Sequence, residues 1–390
     1  MYNQAVLEKY CPAPEMGIDI DAQGYIKVCC VTGNKVAHLE DEIDWTNFFV
    51  SERWTSIRED IQTGNSTLCE GCARRERQGI ISQRQQLRYN AGIHTNELNY
   101  SQPINIDIDL GNVCNLWCVM CNSTKSTKWH KIDKDGELHK FNNYPLIQPF
   151  KFKRKYIDNV LDKMFDRVQR CSFKGGEPFA YKDFEYTLEW LLKKNCRNAE
   201  MITNGTLWSE KYNEIFSKFP RVFFTVSVDG RYRVSDWIRY DKISSYQVVR
   251  NNIGQMSKLK NAGGSLVHVT MPYNLYSLPD FLLDFNDEFA ESNWWINLKQ
   301  ICVSPVHLNV NDVIPLDSRL RVADRLKNLK LNYRTRYLED LIKYIELPVE
   351  PNIEMQRRFV EYTNLIDKKK TFSIWDEVPE LRHDLMHVLK

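Results

Sequence analysis

No stretch of the 390-residue sequence approaches the roughly 20 consecutive apolar residues that a membrane span requires. Charge of one sign is also missing in excess: the net charge of +2 gives no general signal for a polyanionic partner. Internal repeats and low-complexity tracts are absent. The eight histidines show no metal-ligand spacing, and His268 is read as a core histidine. The opening Met1-Tyr2-Asn3-Gln4-Ala5-Val6 has no basic and apolar leader, so a cytoplasmic protein is expected. What is present is a hydrophobic fraction of 43% and an aromatic fraction of 12%, which support a sizeable core. The length suits two domains, or one large domain with appendages.

Eleven cysteines stand out against this background. They are clustered rather than scattered, which favours metal binding in a reducing compartment over a disulfide framework. Cys171 and Cys302 are exceptions. They sit in apolar, strand-like runs and are read as buried structural cysteines. The most informative run is Gly111-Asn112-Val113-Cys114-Asn115-Leu116-Trp117-Cys118-Val119-Met120-Cys121, with the spacing C-x3-C-x2-C. Three thiolates this close can hold three irons of a [4Fe–4S] cluster and leave the fourth open to bind a small molecule and pass it an electron. The competing reading is a zinc site short of one ligand. Zinc motifs favour two separated C-x2-C pairs, and nothing fourfold lies inside this loop.

Strand and helix signals alternate through the middle of the chain. Six strands are predicted, at Ile104–Leu110, Arg170–Lys174, Ala199–Thr203, Val222–Val228, Leu266–Met271 and Trp295–Ile301. Helical stretches such as Phe184–Lys194 and Ser244–Lys260 lie between them. This alternation predicts an α/β fold with a parallel sheet, and six units suggest a (β/α)6 partial TIM barrel. Strand Ile104–Leu110 alternates apolar and polar residues. One face is aliphatic, and the other offers Asn105, Asp107 and Asp109. Phe223, Thr225, Ser227 and Asp229 form a similar polar-leaning face. Such faces suit either a ligand-holding lumen or a half-exposed sheet. The chain is divided into a small cysteine-bearing α+β region at 1–100, the partial barrel at 101–310 and a helical C-terminal extension at 311–390.

In barrels of parallel strands, chemistry gathers at the carboxyl ends of the strands. The cysteine loop follows the first predicted strand. Gly175-Gly176-Glu177-Pro178 follows the second, Thr203-Asn204-Gly205 the third, and Ser227-Val228-Asp229-Gly230 the fourth. Paired glycines let backbone approach a ligand closely. The C-x3-C-x2-C spacing, with GGEP about fifty residues later, resembles the radical S-adenosylmethionine (radical SAM) superfamily. The resemblance implies that Cys114, Cys118 and Cys121 hold a [4Fe–4S] cluster and that Gly175, Gly176, Glu177 and Pro178 bind the SAM amino group. It also places Asn204, Ser227 and Asp229 near SAM, with Arg239 toward the SAM carboxylate; Thr270 and Asn274 are further candidates. One departure is Met120, which stands where the superfamily usually has an aromatic residue; its thioether is taken as the adenine contact. The activity implied is reductive cleavage of SAM to a 5′-deoxyadenosyl radical that abstracts hydrogen from a substrate. An external one-electron reductant such as flavodoxin or ferredoxin is implied as a partner.

A second set comprises Cys11, Cys29, Cys30, Cys69 and Cys72. Asp21 to Gly24 reads as a hairpin turn that returns Cys11 toward Cys29, and Cys69-Glu70-Gly71-Cys72 closes a four-thiolate site. Four thiolates fit a fully coordinated Fe–S cluster or a structural zinc, and spacing does not separate them. The pattern resembles the SPASM and twitch auxiliary-cluster domains of radical SAM enzymes, placed here before the barrel. That resemblance selects Cys29 over Cys30, five residues after Gly24, and implies a second [4Fe–4S] cluster. Arg58, Gly64, Glu76, Gly79, the run Ser123 to Trp129 and Trp375 to Glu380 belong to the same match.

Arginines at 53–88 interleave with acidic residues and are read as a solvated helical face, and Lys368-Lys369-Lys370 as a solvated helix end. Trp294-Trp295 is read as barrel packing. Nucleic acid and membrane partners are not expected. The function that follows from the resemblance is a radical SAM enzyme acting on a peptide or protein. The alternatives are radical SAM chemistry on nucleic acid or a small molecule, and a non-catalytic Fe–S electron carrier or redox sensor. A pure carrier has no need of GGEP or of an open iron.

Overall fold

The computed structural model describes residues 11–64, 66–77, 81–91, 102–142, 150–239, 245–290 and 292–389. Gly79, Ser244 and the opening hexapeptide lie outside the described residues. The chain forms two compact units. One comprises Met1–Asn112, Pro149–Met201 and Lys218–Arg221; the other comprises Val113–Gln148, Ile202–Ser217 and Val222–Lys390. Both are mixed α/β and largely parallel. No helix among the described residues is long and apolar enough to cross a membrane.

The first unit holds β1 (Gly17–Ile20), β2 (Tyr25–Lys27), β3 (Ala37–His38), β4 (Asn105–Asp109), β5 (Arg170–Lys174) and β6 (Asn198–Thr203), in the order β6-β5-β4-β1-β2-β3. β4, β5 and β6 are parallel, as the β-α alternation predicts, and the helix Phe184–Lys193 makes the crossover from β5 to β6. The turn between β1 and β2 is the hairpin read from Asp21 to Gly24. Asp21 Oδ1 accepts the N–H groups of Gln23 and Tyr25 at 2.9 and 3.0 Å, and Gly24 takes φ +84°. The hairpin does more than make a turn: β1 runs parallel to β4, in register from Gly17↔Asn105 to Ile20↔Ile108. Nothing in the sequence announces that long-range pairing.

Alternation along these strands sorts their residues. Ile20, Ile106 and Ile108 are fully buried on one face. The polar face carries cross-strand ion pairs. The Arg170 guanidinium meets Asp107 at 2.9 Å and forks onto Glu200 at 2.8 and 2.6 Å, while Lys174 Nζ lies 2.7 Å from Asp19 Oδ2. Asp109 is buried and its Oδ1 accepts the Gly111 N–H at 3.0 Å. The arginines of 53–88 are not one solvated face. Arg58 is buried and donates to the Phe49 carbonyl at 2.8 Å. Arg84 is buried and grips both oxygens of Glu76. A bidentate carboxylate satisfies the guanidinium well enough to bring it inside, which sequence composition does not reveal.

The second unit holds β7 (Arg221–Ser227), β8 (Ala262–Thr270), β9 (Trp294–Ile301) and β10 (Thr335–Arg336), all parallel, in the order β10-β9-β8-β7. Phe224, Val226, Leu266 and Ile296 are fully buried. His268 is buried against Phe281, with ring centroids 4.9 Å apart, and burial pushes it down to about 3, so it is a neutral core residue. Trp294 packs with Phe224 and Phe289, whereas Trp295 is half-buried against Phe223 with the Arg336 guanidinium 4.2 Å from its ring. The C-terminal part is helical, as expected, at Leu316–Lys327, Leu338–Ile345 and Ile353–Asp367. Arg319 staples it, donating to the carbonyls of Ile314, Ile345 and Leu347 at 3.1, 2.7 and 3.0 Å.

The Asp19–Lys174 pair yields a test of the first unit. Asp19 is 1% exposed and Lys174 27% exposed. Lys174→Met therefore strands a buried carboxylate and is expected to cost about 3 kcal/mol in urea unfolding. The Asp19→Asn Lys174→Met pair is expected to recover most of it. Equal losses in the single and double variants would refute the assignment.

Candidate functional site

The loop that leaves β4 is fixed from outside itself. The Val119 N–H donates to the Ile238 carbonyl and the Cys121 N–H to the Cys118 carbonyl, both at 2.9 Å. Side chains from beyond the cysteines donate to three of the loop's carbonyls. Ser126 Oγ donates to Leu116 at 2.5 Å, Trp129 Nε1 to Cys118 at 3.0 Å, and the Tyr362 hydroxyl to Val119 at 2.5 Å. Trp117 is buried edge-on to Trp129 at 5.9 Å, and Lys370 Nζ lies 3.9 Å from its ring centre. Trp117 is therefore a pillar of the loop. Lys370 is not the solvated helix end read from the sequence, because the apolar ring and its π face draw the ammonium onto the loop.

With the backbone held, the thiols carry the loop's chemistry. Cys114 Sγ accepts the Leu116 N–H at 3.4 Å, and Cys118 Sγ lies 3.6 Å from Arg239 Nη1. Cys121 Sγ points to the Asn122 carbonyl at 3.7 Å. Burial pushes the Cys118 thiol up, opposed by the charges of Arg239 and Lys370. Burial, with the neighbouring Cys118 charge, pushes Cys121 up to about 12, opposed by Arg239 and Lys125. Among the described residues no three His, Cys, Asp or Glu side chains converge at metal-ligand geometry. The donor types still suit an iron–sulfur cluster: three soft thiols on one braced loop, with the Arg239 guanidinium against one of them and Lys370 nearby to offset an anionic group.

Of the other predicted residues of this unit, Asn204 and Arg239 bond to that loop and Asp229 meets Arg239. Asn204 Nδ2 donates to Asn115 Oδ1 at 2.9 Å, and Thr206 donates to Asn204 Oδ1 through both N–H and hydroxyl at 2.9 and 2.6 Å. Asp229 is fully buried, and its Oδ1 accepts the Val269 N–H at 2.6 Å. Arg239 Nε lies 2.6 Å from Asp229 Oδ2, a charge-to-charge contact off the N–H direction. Burial pushes the Asp229 carboxyl up, and Arg239 opposes it. Asn274 is buried and binds backbone, donating to Val269 and Asp229 carbonyls at 2.9 and 3.3 Å. Thr270 is buried beside His268. Ser227 is half-buried at the end of β7, and Met120 is half-buried on the loop.

In the first unit, the GGEP turn interlocks with the residues after β4. The Gly176 N–H donates to the Gly111 carbonyl at 2.8 Å, and the Leu110 N–H to the Lys174 carbonyl at 3.0 Å. Gly175 takes φ +129°, and a Cβ there would stand 2.7 Å from Gly111 O. Glu177 is buried, and its Oε1 accepts the Phe179 N–H at 3.1 Å at the start of the short turn Pro178–Ala180.

The N-terminal cysteines of this unit separate into a group and an outlier. Cys11, Cys69 and Cys72 are buried and Cys29 is half-buried. Burial pushes Cys11 up to about 12, with the charges of Cys29, Cys69 and Cys72 adding. Burial and then Cys72 and Cys69 push Cys29 up. Cys69 is pushed up by burial and Cys72, and Arg84 opposes. Cys11 and Cys29 thus each feel the charges of Cys69 and Cys72. Cys30 lies at the surface with its thiol partly covered by neighbours; that partial desolvation, and then Cys29, push it up to about 11, and its other charged neighbours are Lys174, Asp19 and Asp107. Four thiols are the donor type of a tetrahedral zinc or a fully ligated cluster, and among the described residues they do not converge at metal-ligand geometry.

Comparison with known proteins adds few names. No family model matches the chain, and no curated protein matches it. Among solved structures it is similar to anSMEcpe with bound AdoMet, at 20% identity and TM-score 0.41, covering 64% of this chain and 67% of that one. It is also similar to Streptococcus suis SuiB bound to S-adenosylmethionine, at 15% identity and TM-score 0.35, covering 79% and 69%. A third is SuiB bound to precursor peptide SuiA, at 16% identity and TM-score 0.34, covering 86% and 72%.

Sequence reasoning missed Asn115, Thr206, Tyr362 and Lys370. Asn115 lay in plain view between two cysteines, but its partner Thr206 is 91 residues away. Gly175 supplies the local test. Gly175→Ala is expected to cost about 1–3 kcal/mol through the forced conformation. Gly254→Ala, inside the helix Ser245–Ser257 with nothing within 4 Å, is expected to stabilise by about 0.5–1 kcal/mol. Denaturant midpoints of opposite sign would bear this out; a neutral Gly175→Ala would contradict it.

Proposed function

We propose that the chain is a radical SAM enzyme of the partial-barrel type acting on a peptide or protein, with an auxiliary metal site at its N-terminal cysteines. The observation that carries this reading is positional. The cysteine loop, GGEP, Thr203-Asn204-Gly205 and Ser227-Val228-Asp229-Gly230 each leave the carboxyl end of a strand, β4, β5, β6 and β7 in turn. Chemistry gathers at those ends in parallel α/β folds. In this reading Cys114, Cys118 and Cys121 hold a [4Fe–4S] cluster, which supplies one electron to SAM so that a 5′-deoxyadenosyl radical forms and takes a hydrogen from substrate. Gly175, Gly176, Glu177 and Pro178 bind the SAM amino group, Asn204, Ser227 and Asp229 line its site, and Met120 meets adenine. Arg239 belongs to the same site. Cys11, Cys29, Cys69 and Cys72 hold a second [4Fe–4S] cluster. The three segments 1–100, 101–310 and 311–390 serve as auxiliary domain, barrel and helical extension.

The protein's own work is to fix and to shield. Ser126, Trp129 and Tyr362 hold the backbone of the loop that carries the three thiols. Cys118 and Cys121 are half-buried, which limits the approach of water. A low-potential one-electron donor, such as flavodoxin or ferredoxin, completes the system.

The test is anaerobic. The protein is reconstituted with iron and sulfide, given SAM and dithionite, and assayed for 5′-deoxyadenosine beside Cys118→Ala. Product in the wild type alone is expected. No SAM binding to a loaded cluster would overturn the reading. Iron and sulfide in a variant with Cys114, Cys118 and Cys121 all changed to Ala decide the second site. About four irons per chain are expected; stoichiometric zinc without iron would replace the auxiliary cluster by a structural metal.

A further inference from the structure

Arg239 makes two contacts at once, and the reading of Cys118 as a cluster ligand explains only why one of them would matter. Its Nε faces the buried Asp229 carboxylate at 2.6 Å, and its Nη1 faces Cys118 Sγ at 3.6 Å. The guanidinium is 9% exposed and the carboxylate 0% exposed. A planar guanidinium can set its charge against a carboxylate through one nitrogen and offer an N–H to a sulfur through another, whereas a lysine ammonium is a single point charge. The placement is built in. Arg239 is the last residue of the helix Tyr232–Arg239, and the carbonyl one residue earlier, Ile238, accepts the Val119 N–H next to Cys118. Helix end and cysteine loop are thus held in register, and the guanidinium has little choice but to meet that thiol. A second cation, Lys370, is held over Trp117, the residue before Cys118, at 3.9 Å.

We propose that Arg239, clamped by Asp229, is a positioning residue that donates to the Cys118 sulfur and, with Lys370 behind the loop, raises the reduction potential of the cluster held there. The inference rests on the proposed reading of Cys114, Cys118 and Cys121 as cluster ligands. Reduction adds one electron, taken from an external one-electron donor, and no proton, so the cluster becomes one unit more negative. Net charge, hydrogen bonds to the sulfurs and solvent exposure set the potential of such a cluster. A fixed donor on one sulfur and two nearby cations all favour the more negative state, and burial strengthens each of them. Asp229 holds the fork at the angle that leaves Nη1 for sulfur, and it keeps the guanidinium from carrying an uncompensated charge into the interior.

The experiment is an EPR-monitored redox titration of the reconstituted full chain, following the reduced-cluster signal that changes shape when SAM is added. Wild type is compared with Arg239→Gln, with the Asp229→Asn Arg239→Gln pair, and with Lys370→Gln. Arg239→Gln is expected to make reduction about tenfold less favourable, which is about 59 mV more negative for a one-electron couple. Lys370→Gln is expected to shift it the same way by less. The double variant leaves no buried carboxylate unpaired, so it guards against misfolding, and it too is expected to shift negative. An unchanged potential in the Arg239 variants overturns the proposal. If neither variant loads iron at this site, an unchanged melting transition supports Arg239 as a holder of the Cys118 ligand, and a lost transition overturns the proposal in favour of a purely structural ion pair. A wild type with no SAM-responsive signal would instead fail the underlying reading, which keeps the two failures apart.

Discussion

The second unit depends on one constraint: the cysteine loop has no regular structure of its own, so its backbone polar groups must be satisfied by other segments. A buried carbonyl without a partner costs free energy on the scale of a lost hydrogen bond. Here Leu116, Cys118 and Val119 give their carbonyls to Ser126, Trp129 and Tyr362, and Val119 gives its N–H to Ile238. Ser126 also caps the helix that carries Trp129, accepting from Lys128 and Trp129 N–H groups. One serine thus starts a helix and secures the loop before it. The thiols inherit their directions from this bracing.

The first unit solves a different problem. Its sheet has charged residues on one face, and cross-strand pairs hold them: Asp107 with Arg170, Arg170 with Glu200, and Asp19 with Lys174. The last pair needs β1 beside β4 as well as β5 beside it, because Asp19 and Lys174 are 155 residues apart. The cysteines follow the same neighbourhood. Cys29 senses Cys69 and Cys72, and its neighbour Cys30 senses Lys174 and Asp19 instead. Two adjacent thiols thus have different surroundings.

Much of this was legible in the sequence, for reasons that differ by feature. All six strands from Ile104 to Ile301 were found within a few residues, because apolar alternation and intervening helices report local structure directly. The hairpin at Asp21 to Gly24 was legible because a turn announces itself in Asp and Gly. Pairing of β1 with β4 was not, since register between distant strands leaves no local trace. Arg84 and Lys370 were misread for one reason: a charged side chain looks solvated in sequence until its partner is known, and Glu76 and Trp117 are those partners. The polar face around Asp107 was seen, but not that Arg170 would answer it.

The tyrosine that ties Val119 stands 243 residues further along the chain. A ribosome releases the three cysteines long before it makes Tyr362 or Lys370. During synthesis the nascent loop therefore lacks its final brace, and its thiols are more open to solvent than they become in the finished molecule. The loop is complete only once the helix Ile353–Asp367 and the lysine just beyond it have been made, so an early segment of the chain waits on a late one for its final shape.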